Sequence, residues 1–416
     1  MKDVYIIGVG MTPVGRHLDK SVKDLTAVAV RSALSDANLT KDQIQAAWFT
    51  STFWGYFEGQ EAIRGQVALR PMGISGIPIV NVENGCASGS TTAHSAWMAI
   101  KAGMYDCALC VGTEKMYYPN DPEKMFASFD RGVDYERLGE MLRQFQEIKT
   151  RIKLDIPQSS NAALIPGKTK SALMDCYAGW ALWHMDKYGT TQRQLAAVSA
   201  KNHKHGATNM MSQIRKAMTV EEVLNDKVVQ WPLTRSMCAP IGDCSAAAIL
   251  CSEQFLIRYG IKRAVKIRAS VLSSGTDRDW DGEDIAARTS RRAYDYSGVG
   301  PQDINVAEMH DACAYGELHQ AEAVGFCPEG QGGPFAESGA TTLGGKIPIN
   351  PSGGLECRGH AIAASGLAQI YELVLQLRGE AGDRQVERAR IAMQVNGGGI
   401  VNLEEASMIV HILEKV

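Results

Sequence analysis

Long apolar runs are missing from this chain of 416 residues, although 45% of its residues are hydrophobic. No run reaches the roughly 18 residues that a transmembrane helix needs, so we expect no membrane span. The net charge at pH 7 is only -3, which argues against the strong basic footprint of a nucleic-acid-binding protein. This length and composition are typical of a soluble globular protein with two or three domains.

We also expect neither a signal peptide nor a structural zinc site. The N-terminus, Met1-Lys2-Asp3-Val4, leads directly into a strand-like run, so we expect a cytoplasmic protein. The 10 cysteines are scattered through apolar segments, as is usual in a reducing compartment. Cys107 and Cys110 form a Cys-x-x-Cys pair inside a strand-like segment, and His203 and His205 have no further ligands nearby. We therefore predict no metal site.

One cysteine stands between a tight turn and an apolar helix, in the segment Val82-Glu83-Asn84-Gly85-Cys86-Ala87-Ser88-Gly89-Ser90. The small residues around Cys86 leave backbone N–H groups free to face an oxyanion. Because a helix N-terminus lowers the pKa of a thiol, the pattern predicts a nucleophile with a lowered pKa. The alternative is a buried structural cysteine, since Cys is among the most buried residue types.

Three further turns rich in small or polar residues follow strand-like segments in the second half of the chain. The turns contain, in chain order, residues 308–314 with His310, Asp311 and Cys313, residues 350–366 with His360, and the segment Asn396-Gly397-Gly398-Gly399. Because each turn stands at the end of a strand, we expect all of them to converge with Cys86 on one site.

Strand-like and helical patterns alternate along most of the chain. This alternation predicts mainly parallel sheets covered by helices, and its repetition from residue 265 onward suggests two similar halves. The pattern breaks between Met116 and Trp231, where charged, helical and loop segments follow one another. An insertion of this length inside a compact fold is usually functional.

With these motifs in this order, the chain resembles the thiolases, and most closely the branch of the sterol-carrier-protein thiolases. Cys86-Ala87-Ser88 is similar to the Cys-x-Ser nucleophile loop of the family. His310-Asp311 followed by a cysteine resembles the His-Asp-Cys-Phe loop of that branch, and Gly359-His360 resembles the Gly-His-Pro loop. The opening strand (residues 4–15) and residues 325–330 extend the resemblance over nearly the whole length.

The resemblance implies the thiolase fold, an α/β fold in which two similar βαβαβαββ halves form a five-layered α-β-α-β-α arrangement with an inserted loop domain. We expect the N-terminal half at 1–115 and 232–255, the loop domain at 116–231, and the C-terminal half at 256–416. In thiolases the loop domain covers the active site and contacts coenzyme A. Basic residues of the insertion are candidates for phosphate contacts, or form a solvated charged face: Lys149, Arg151, Lys153, Lys168 and Lys170.

The resemblance also implies a CoA-dependent thiolase that cleaves or forms a β-ketoacyl-CoA by ping-pong chemistry through an acyl-cysteine. Cys86 would be the nucleophile and His360 its base, since an imidazole pKa is normally near 6.5. The backbone N–H groups of Cys86 and Gly398 would form an oxyanion hole. His310 would hold the thioester oxygen, and Cys313 would protonate the enolate. Coenzyme A would be a co-substrate, with no permanently bound cofactor.

The chain departs from the family pattern at two places. Ala361 follows the histidine where the family has proline. Cys313 comes one residue later than the second catalytic cysteine of the sterol-carrier branch, and Val395 or Asn396 stands where many thiolases carry theirs. A shift of one residue in an extended segment turns a side chain to the other face. Cys313 therefore either donates the proton or points into the core, in which case His360, His310 or a water must supply it.

Alternative functions are acyl transfer without Claisen chemistry, and a retro-aldolase subunit that works with an OB-fold and zinc-ribbon partner. Aromatic clusters at Phe53 to Phe57 and at Trp180 and Trp183 belong either to the core or to a pocket for branched or aromatic acyl-CoA esters, among them benzoylsuccinyl-CoA. The family further implies a homodimer, and we also expect a separately encoded partner. Structural roles are predicted for His94, His319, Asp311 and Asp243.

Overall fold

The computed structural model describes residues 2–152 and 171–416. The strands are, in chain order, β1 (Val4–Met11), β2 (Ala46–Thr50), β3 (Ile79–Asn81), β4 (Cys107–Glu114), β5 (Val228–Gln230), β6 (Leu233–Thr234), β7 (Cys244–Ser252), β8 (Val265–Ser274), β9 (Val306–Glu308), β10 (Ile391–Val401) and β11 (Glu404–Lys415). The helices are α1 (Val22–Asp36), α2 (Trp54–Glu58), α3 (Arg64–Leu69), α4 (Ser88–Lys101), α5 (Pro122–Ala127), α6 (Leu138–Arg151), α7 (Ala172–Tyr188), α8 (Gln192–Ala207), α9 (Val220–Leu224), α10 (Glu253–Arg258), α11 (Ile285–Ser297), α12 (Ala314–Ala323), α13 (Gly332–Glu337), α14 (Gly354–Arg358) and α15 (Ile362–Arg378). Within the described ranges, none of these helices has both the length and the apolar character to cross a bilayer.

The main sheet has the strand order β3-β2-β4-β7-β1-β8-β11-β10-β9. β1 and β8 meet at its centre through two residue pairs, Tyr5 with Lys266 and Ile6 with Val265. Beyond β9, Ile349 makes a parallel bridge to Ala307 and takes the place of a third strand in the second half. We number the strands of each half from 1 to 5 in chain order. The strand order across the sheet is then 3-2-4-5-1 in the first half and 1-5-4-2-3 in the second half, with the two first strands, β1 and β8, side by side.

Each half follows the predicted βαβαβαββ order. The first half consists of β1, α1, β2, α3, β3, α4, β4 and β7, with further elements between β4 and β7. The second half consists of β8, α11, β9, α12, the Ile349 bridge, α15, β10 and β11. The expected division into residues 1–115 with 232–255, 116–231 and 256–416 stays a prediction.

The prediction of mainly parallel sheets is wrong, because the sheet is mixed. β2 pairs in parallel with β3 and β4, and β9 with β10. The pairs β1–β7, β1–β8, β4–β7, β8–β11 and β10–β11 are antiparallel. A two-residue turn, Asn402-Leu403, joins β10 to β11, and such short connections require antiparallel neighbours.

Buried side chains alternate between the two faces of this sheet, as the period of two in a strand requires. Along β1, Val4 and Ile6 face a central cluster formed with α4 and α15. Tyr5 and Ile7 face an outer cluster with α1. The second half repeats the pattern, with Ala392 in the central cluster and other β10 residues packed against α11 and α12. The layers are therefore α, β, α, β, α, as predicted.

The central layer brings two helix N-termini together. Gly89 in α4 lies so close to α15 that a Cβ atom there would be 2.7 Å from the carbonyl oxygen of Ala363 and 3.0 Å from the amide nitrogen of Leu367. This contact places the turn before α4, which holds Cys86, beside the turn before α15, which holds His360.

We expect Gly89→Ala to lower the free energy of unfolding by about 1–3 kcal/mol, because the added methyl group overpacks the contact with α15. Gly139→Ala is the matched control, since Gly139 is also helical and a Cβ atom there would meet nothing within 4 Å. The control should raise stability by up to about 1 kcal/mol. Urea denaturation of both variants measures the difference, and equal effects would contradict the close contact.

Candidate active site

The structure brings two of the predicted site residues, Cys86 and His360, into direct contact. Cys86 belongs to a 3₁₀ turn, Gly85–Ala87, that leads into α4. Its Sγ lies 3.1 Å from Nε2 of His360. Nδ1 of His360 lies 2.8 Å from Oγ of Ser365. When Nδ1–H donates to this hydroxyl, Nε2 carries the lone pair and can accept the thiol proton.

The backbone around His360 holds the ring in this position without the proline of the family pattern. The amide of His360 donates to the carbonyl oxygen of Pro240 over 3.3 Å, and the residue also forms a parallel bridge with Ile241. Ala361, which stands where the family has proline, is buried. The departure at Ala361 therefore leaves the contact between imidazole and thiol intact.

The predicted lowering of the Cys86 pKa is wrong for the free protein. Cys86 is only 8% exposed, and burial raises the pKa of its thiol to about 12. Burial also lowers the pKa of His360 well below its ordinary value. Desolvation disfavours both charged forms and outweighs the helix N-terminus. The resting pair is therefore a neutral thiol beside a neutral imidazole.

His310 completes a cluster with these two residues. The ring centroids of His310 and His360 are 5.3 Å apart, and one ligand-type atom from each of Cys86, His310 and His360 lies within 4.8 Å of the other two. Burial lowers the pKa of His310 to about 3, so this imidazole is neutral as well. Since Cys and His are also zinc ligands, the cluster has suitable donors for a metal, and the expectation of no metal stays a prediction.

A cavity of about 320 Å³ leads to Cys86. Its wall includes the apolar side chains of Phe53, Phe129, Leu173 and Ile362. Gly398 and Gly399 also line it, and the backbone N–H of Gly399 opposes the effect of burial by lowering the pKa of the Cys86 thiol. The sequence argument named Gly398 but missed Gly399, although both belong to the same glycine turn.

Cys313 is not part of the group of ligand-type atoms that Cys86, His310 and His360 form. It is fully buried and precedes α12 as its N-cap residue. Its side chain makes no capping hydrogen bond and packs in an apolar cluster with Tyr177. The role of Cys313 as proton donor stays a prediction, and this placement favours the alternative in which the thiol points into the core.

The aromatic residues divide between the two interpretations. Trp180 is buried in the apolar cluster around Cys313, and Trp183 packs, partly buried, in a second cluster with Leu182 and Trp231. Phe53 is buried and also lines the cavity at Cys86.

Among the basic residues of the insertion, Lys153, Lys168 and Lys170 lie outside the described residues, and the Lys149 side chain is not described. Arg151 is exposed beside Glu147, so the expected phosphate contacts stay a prediction.

The residues expected to be structural make hydrogen bonds within the fold. His94 Nδ1 lies 2.8 Å from Ser270 Oγ, and His319 contacts Asp284. The Asp311 carboxylate accepts the backbone N–H of Leu355. The other partners are main-chain groups: Lys216 and Ser236 for His203, Asn350 and Leu343 for His205, and His17, Met116 and Tyr117 for Asp243.

Sequence reasoning missed Glu114, a fully buried carboxylate at the end of β4. One oxygen accepts the hydroxyl of Ser51 and the N–H of Phe53, while the other accepts the N–H groups of Thr52 and Ala363. Burial raises its pKa to about 7. Glu114 thereby links the Phe53 wall of the cavity to the start of α15. A carboxylate directly after an apolar strand was the available signal.

We expect Glu114→Gln to lower the free energy of unfolding by about 1–3 kcal/mol, because an amide NH₂ replaces an oxygen that accepts two buried N–H groups. Glu58→Gln is the matched control. Glu58 also accepts two hydrogen bonds, from Trp54 and Tyr118, but is exposed. In chemical denaturation, the control should lower the free energy of unfolding by less than about 1 kcal/mol. An equally small effect of Glu114→Gln would refute the proposed link between the cavity wall and α15.

The chain matches two family models, "Thiolase, N-terminal domain" over residues 4–231 and "Thiolase C-terminal domain-like" over residues 270–414. It is 36% identical to sterol carrier protein 2 of Bos taurus, over 96% of this chain and 71% of that protein. It is 35% identical to the acetyl-CoA acetyltransferase of Methanothermobacter thermautotrophicus, over 96% of this chain and 97% of that protein. It is 34% identical to the benzoylsuccinyl-CoA thiolase subunit BbsB of Thauera aromatica, over 96% of this chain and 95% of that protein.

Two solved structures share the fold over all of this chain. The Ltp2-ChsH2(DUF35) aldolase matches with a TM-score of 0.75 at 20% identity and is covered to 98%. Human mitochondrial 3-ketoacyl-CoA thiolase matches with a TM-score of 0.69 at 16% identity and is covered to 99%. At these identities the likeness concerns the fold alone.

Proposed function

The chain belongs to the thiolase family and is an acyltransferase, and we propose that it cleaves or forms a β-ketoacyl-CoA by ping-pong chemistry at Cys86. The observation that carries this proposal is the 3.1 Å contact between the Cys86 sulfur and Nε2 of His360. Coenzyme A is the co-substrate, and the acyl group passes through a thioester on Cys86.

In the cleavage direction, the Cys86 thiol gives its proton to His360 as the sulfur attacks the ketone carbon. The carbon–carbon bond then breaks, which leaves an acyl-cysteine and the enolate of the shortened acyl-CoA. The enolate takes up a proton and leaves, and His360 loses the proton it received from Cys86, either to the enolate directly or to the group that protonates the enolate. Coenzyme A then attacks the acyl-cysteine, its thiol proton passes to the neutral His360 and from there to the departing Cys86 sulfur, and a second CoA thioester is released.

The neutral resting pair suits this sequence of steps. A free thiolate in the dry site would be costly, so proton transfer to His360 accompanies attack rather than preceding substrate binding. Backbone N–H groups of Cys86 and Gly398, with Gly399 as a further candidate, stabilise the oxyanion that forms on the ketone. Each such donor contributes roughly 3–4 kcal/mol to the transition state.

The apolar wall of the cavity supports an acyl group that is branched or aromatic. Phe53 and Phe129 line the cavity, and contacts between aromatic groups contribute about 0.5–1.5 kcal/mol beyond the buried area. The similarity to a benzoylsuccinyl-CoA thiolase subunit supports the same substrate class.

A second candidate is acyl transfer without carbon–carbon bond chemistry. Cys86 and His360 suffice for this reaction, and the burial of Cys313 away from their cluster favours it. A retro-aldolase subunit is the third candidate, with the fold of an aldolase as its support.

The proposed assembly is a homodimer. A separately encoded protein with an OB-fold and a zinc ribbon binds to this dimer. β3 is an edge strand, with Val80 44% exposed on it, and Met98 on the neighbouring α4 is 48% exposed. Covering such apolar side chains is a common function of subunit interfaces. The similarity to a thiolase subunit supports a second polypeptide. All 10 cysteines are free, which supports a reducing compartment such as the cytoplasm.

We expect Cys86→Ala to reduce thiolysis by more than about a thousandfold, because no other group takes over the nucleophile. Intact-mass spectrometry after incubation with linear and aromatic β-ketoacyl-CoA esters should show an acyl adduct in the wild type and none in the variant. Cys107→Ala, at a buried cysteine of β4, is the matched control and should keep the adduct. An adduct in Cys86→Ala would disprove the assignment, and the ester that acylates the wild type fastest identifies the substrate class.

Cys313→Ala separates the candidate functions. If Cys313 donates the enolate proton, the variant should still form acyl-Cys86 from a simple acyl-CoA but fail in thiolysis. If the thiol is only part of the core, the variant should lose about 1–2 kcal/mol of stability and keep its turnover. Single-turnover acylation, measured beside steady-state thiolysis and urea denaturation, distinguishes the two outcomes.

A further inference from the structure

Asn396 contacts one ring nitrogen of His310. Nδ2 of Asn396 lies 3.1 Å from Nδ1 of His310. An amide NH₂ can only donate, so Nδ1 of the ring accepts in this contact. A neutral imidazole has one N–H group, which must then be on Nε2.

A chain of buried hydrogen bonds fixes the orientation of the Asn396 amide. The hydroxyl of Ser90 donates to Oδ1 of Asn396 over 2.7 Å, and the same oxygen of Ser90 accepts from Nε2 of Gln394 over 2.8 Å. Oε1 of Gln394 accepts from Nδ1 of His411. If the Asn396 amide were turned over, Ser90 would face two donors and lose the acceptor for its own hydrogen.

Gly366 in α15 leaves room for this chain. A Cβ atom at that position would be 2.2 Å from Oγ of Ser90 and 2.4 Å from Oδ1 of Asn396. The backbone of α15 thus lies directly against the hydrogen bond that orients the amide, and the amide in turn orients a ring in the Cys86 cluster.

We infer that Asn396 is a positioning residue that keeps His310 as the Nε2–H tautomer, so that this ring donates a hydrogen bond to the thioester oxygen of the bound acyl-CoA. The inference rests on the proposed function and adds a specific requirement to it. The opposite tautomer would present a lone pair to the oxygen and would repel the negative charge that grows there as the enolate forms.

The low pKa of His310 makes the tautomer decisive. Burial holds this pKa at about 3, so protonation does not place a hydrogen on both nitrogens at ordinary pH. The partner on Nδ1 therefore determines whether Nε2 can donate.

Asn396→Asp tests the inference with an almost isosteric change. The carboxylate only accepts, so at about pH 9, above the ordinary imidazole pKa, the ring hydrogen should move to Nδ1. Imidazole ¹⁵N chemical shifts, with the His310 signals assigned by their loss in His310→Gln, should show Nε2–H in the wild type and Nδ1–H in the variant. Steady-state thiolysis at this pH should fall by about a hundredfold or more, the effect of losing one oxyanion donor.

The pH dependence should separate positioning from mere support of the fold. When the introduced carboxyl group and the His310 ring together take up one proton, Nε2 regains its hydrogen, whichever of the two groups holds the charge. The thiolysis rate of Asn396→Asp relative to wild type should therefore rise as the pH falls. A purely structural defect would lower the rate by the same factor at every pH.

Asn209→Asp is the matched control, because it makes the same substitution at a buried amide that contacts Ser352 and Met211 instead of His310. His310 should keep Nε2–H in this variant. Ser90→Ala is a second test without added charge, and it should give a mixture of both tautomers, because the amide is free to turn over. Detection of the His310 hydrogen on Nδ1 in the wild type would overturn the inference, even if no variant folds. The inference would also be overturned if Asn396→Asp kept both the thiolysis rate and the His310 tautomer of the wild type. Absence of acyl-Cys86 in the wild type would instead refute the proposed function and leave the tautomer measurement unaffected.

Discussion

The close packing of α4 against α15 is the constraint on which the site depends. Gly89 allows the two helices to approach until backbone meets backbone, and the turns at their N-termini carry Cys86 and His360. Side chains on two segments separated by 274 positions are thereby held 3.1 Å apart. Precision of this kind is more easily achieved by rigid helices than by loops, since ordering a mobile loop costs conformational entropy at each turnover.

Burial of the site determines its electrostatics. The thiol and both imidazoles are neutral at rest because the surrounding protein solvates charge poorly. Neutral groups act through the placement of their hydrogens, so the partners of His310 and His360 matter more than their ordinary pKa values. Ser365 supplies one partner from α15 of the central layer, and Asn396 supplies the other from β10, which flanks that layer.

Carboxylates fulfil a different function around the same site. Glu114 joins the cavity wall to α15 through backbone N–H groups, and Asp243 joins three backbone amides beside it. Each replaces water for several buried donors at once, which is why a buried carboxylate is tolerated there. Cys313, by contrast, makes no capping hydrogen bond at the start of α12 and packs among apolar side chains, as expected of a thiol in a structural position.

Local sequence determined much of this protein. The periodicity of two and 3.6 predicted the strands and helices of both halves, and turns rich in small or polar residues singled out Cys86, His310 and His360 as candidates, because these patterns depend on neighbours along the chain. Only the tertiary structure decided the direction in which strands pair, since β1 and β8 meet through contacts that no local pattern encodes. It also decided the pKa of Cys86, the burial of Cys313 and the roles of Glu114 and Asn396. Each of these depends on desolvation or on a partner from a distant segment, and the chain brings such groups together only when it folds.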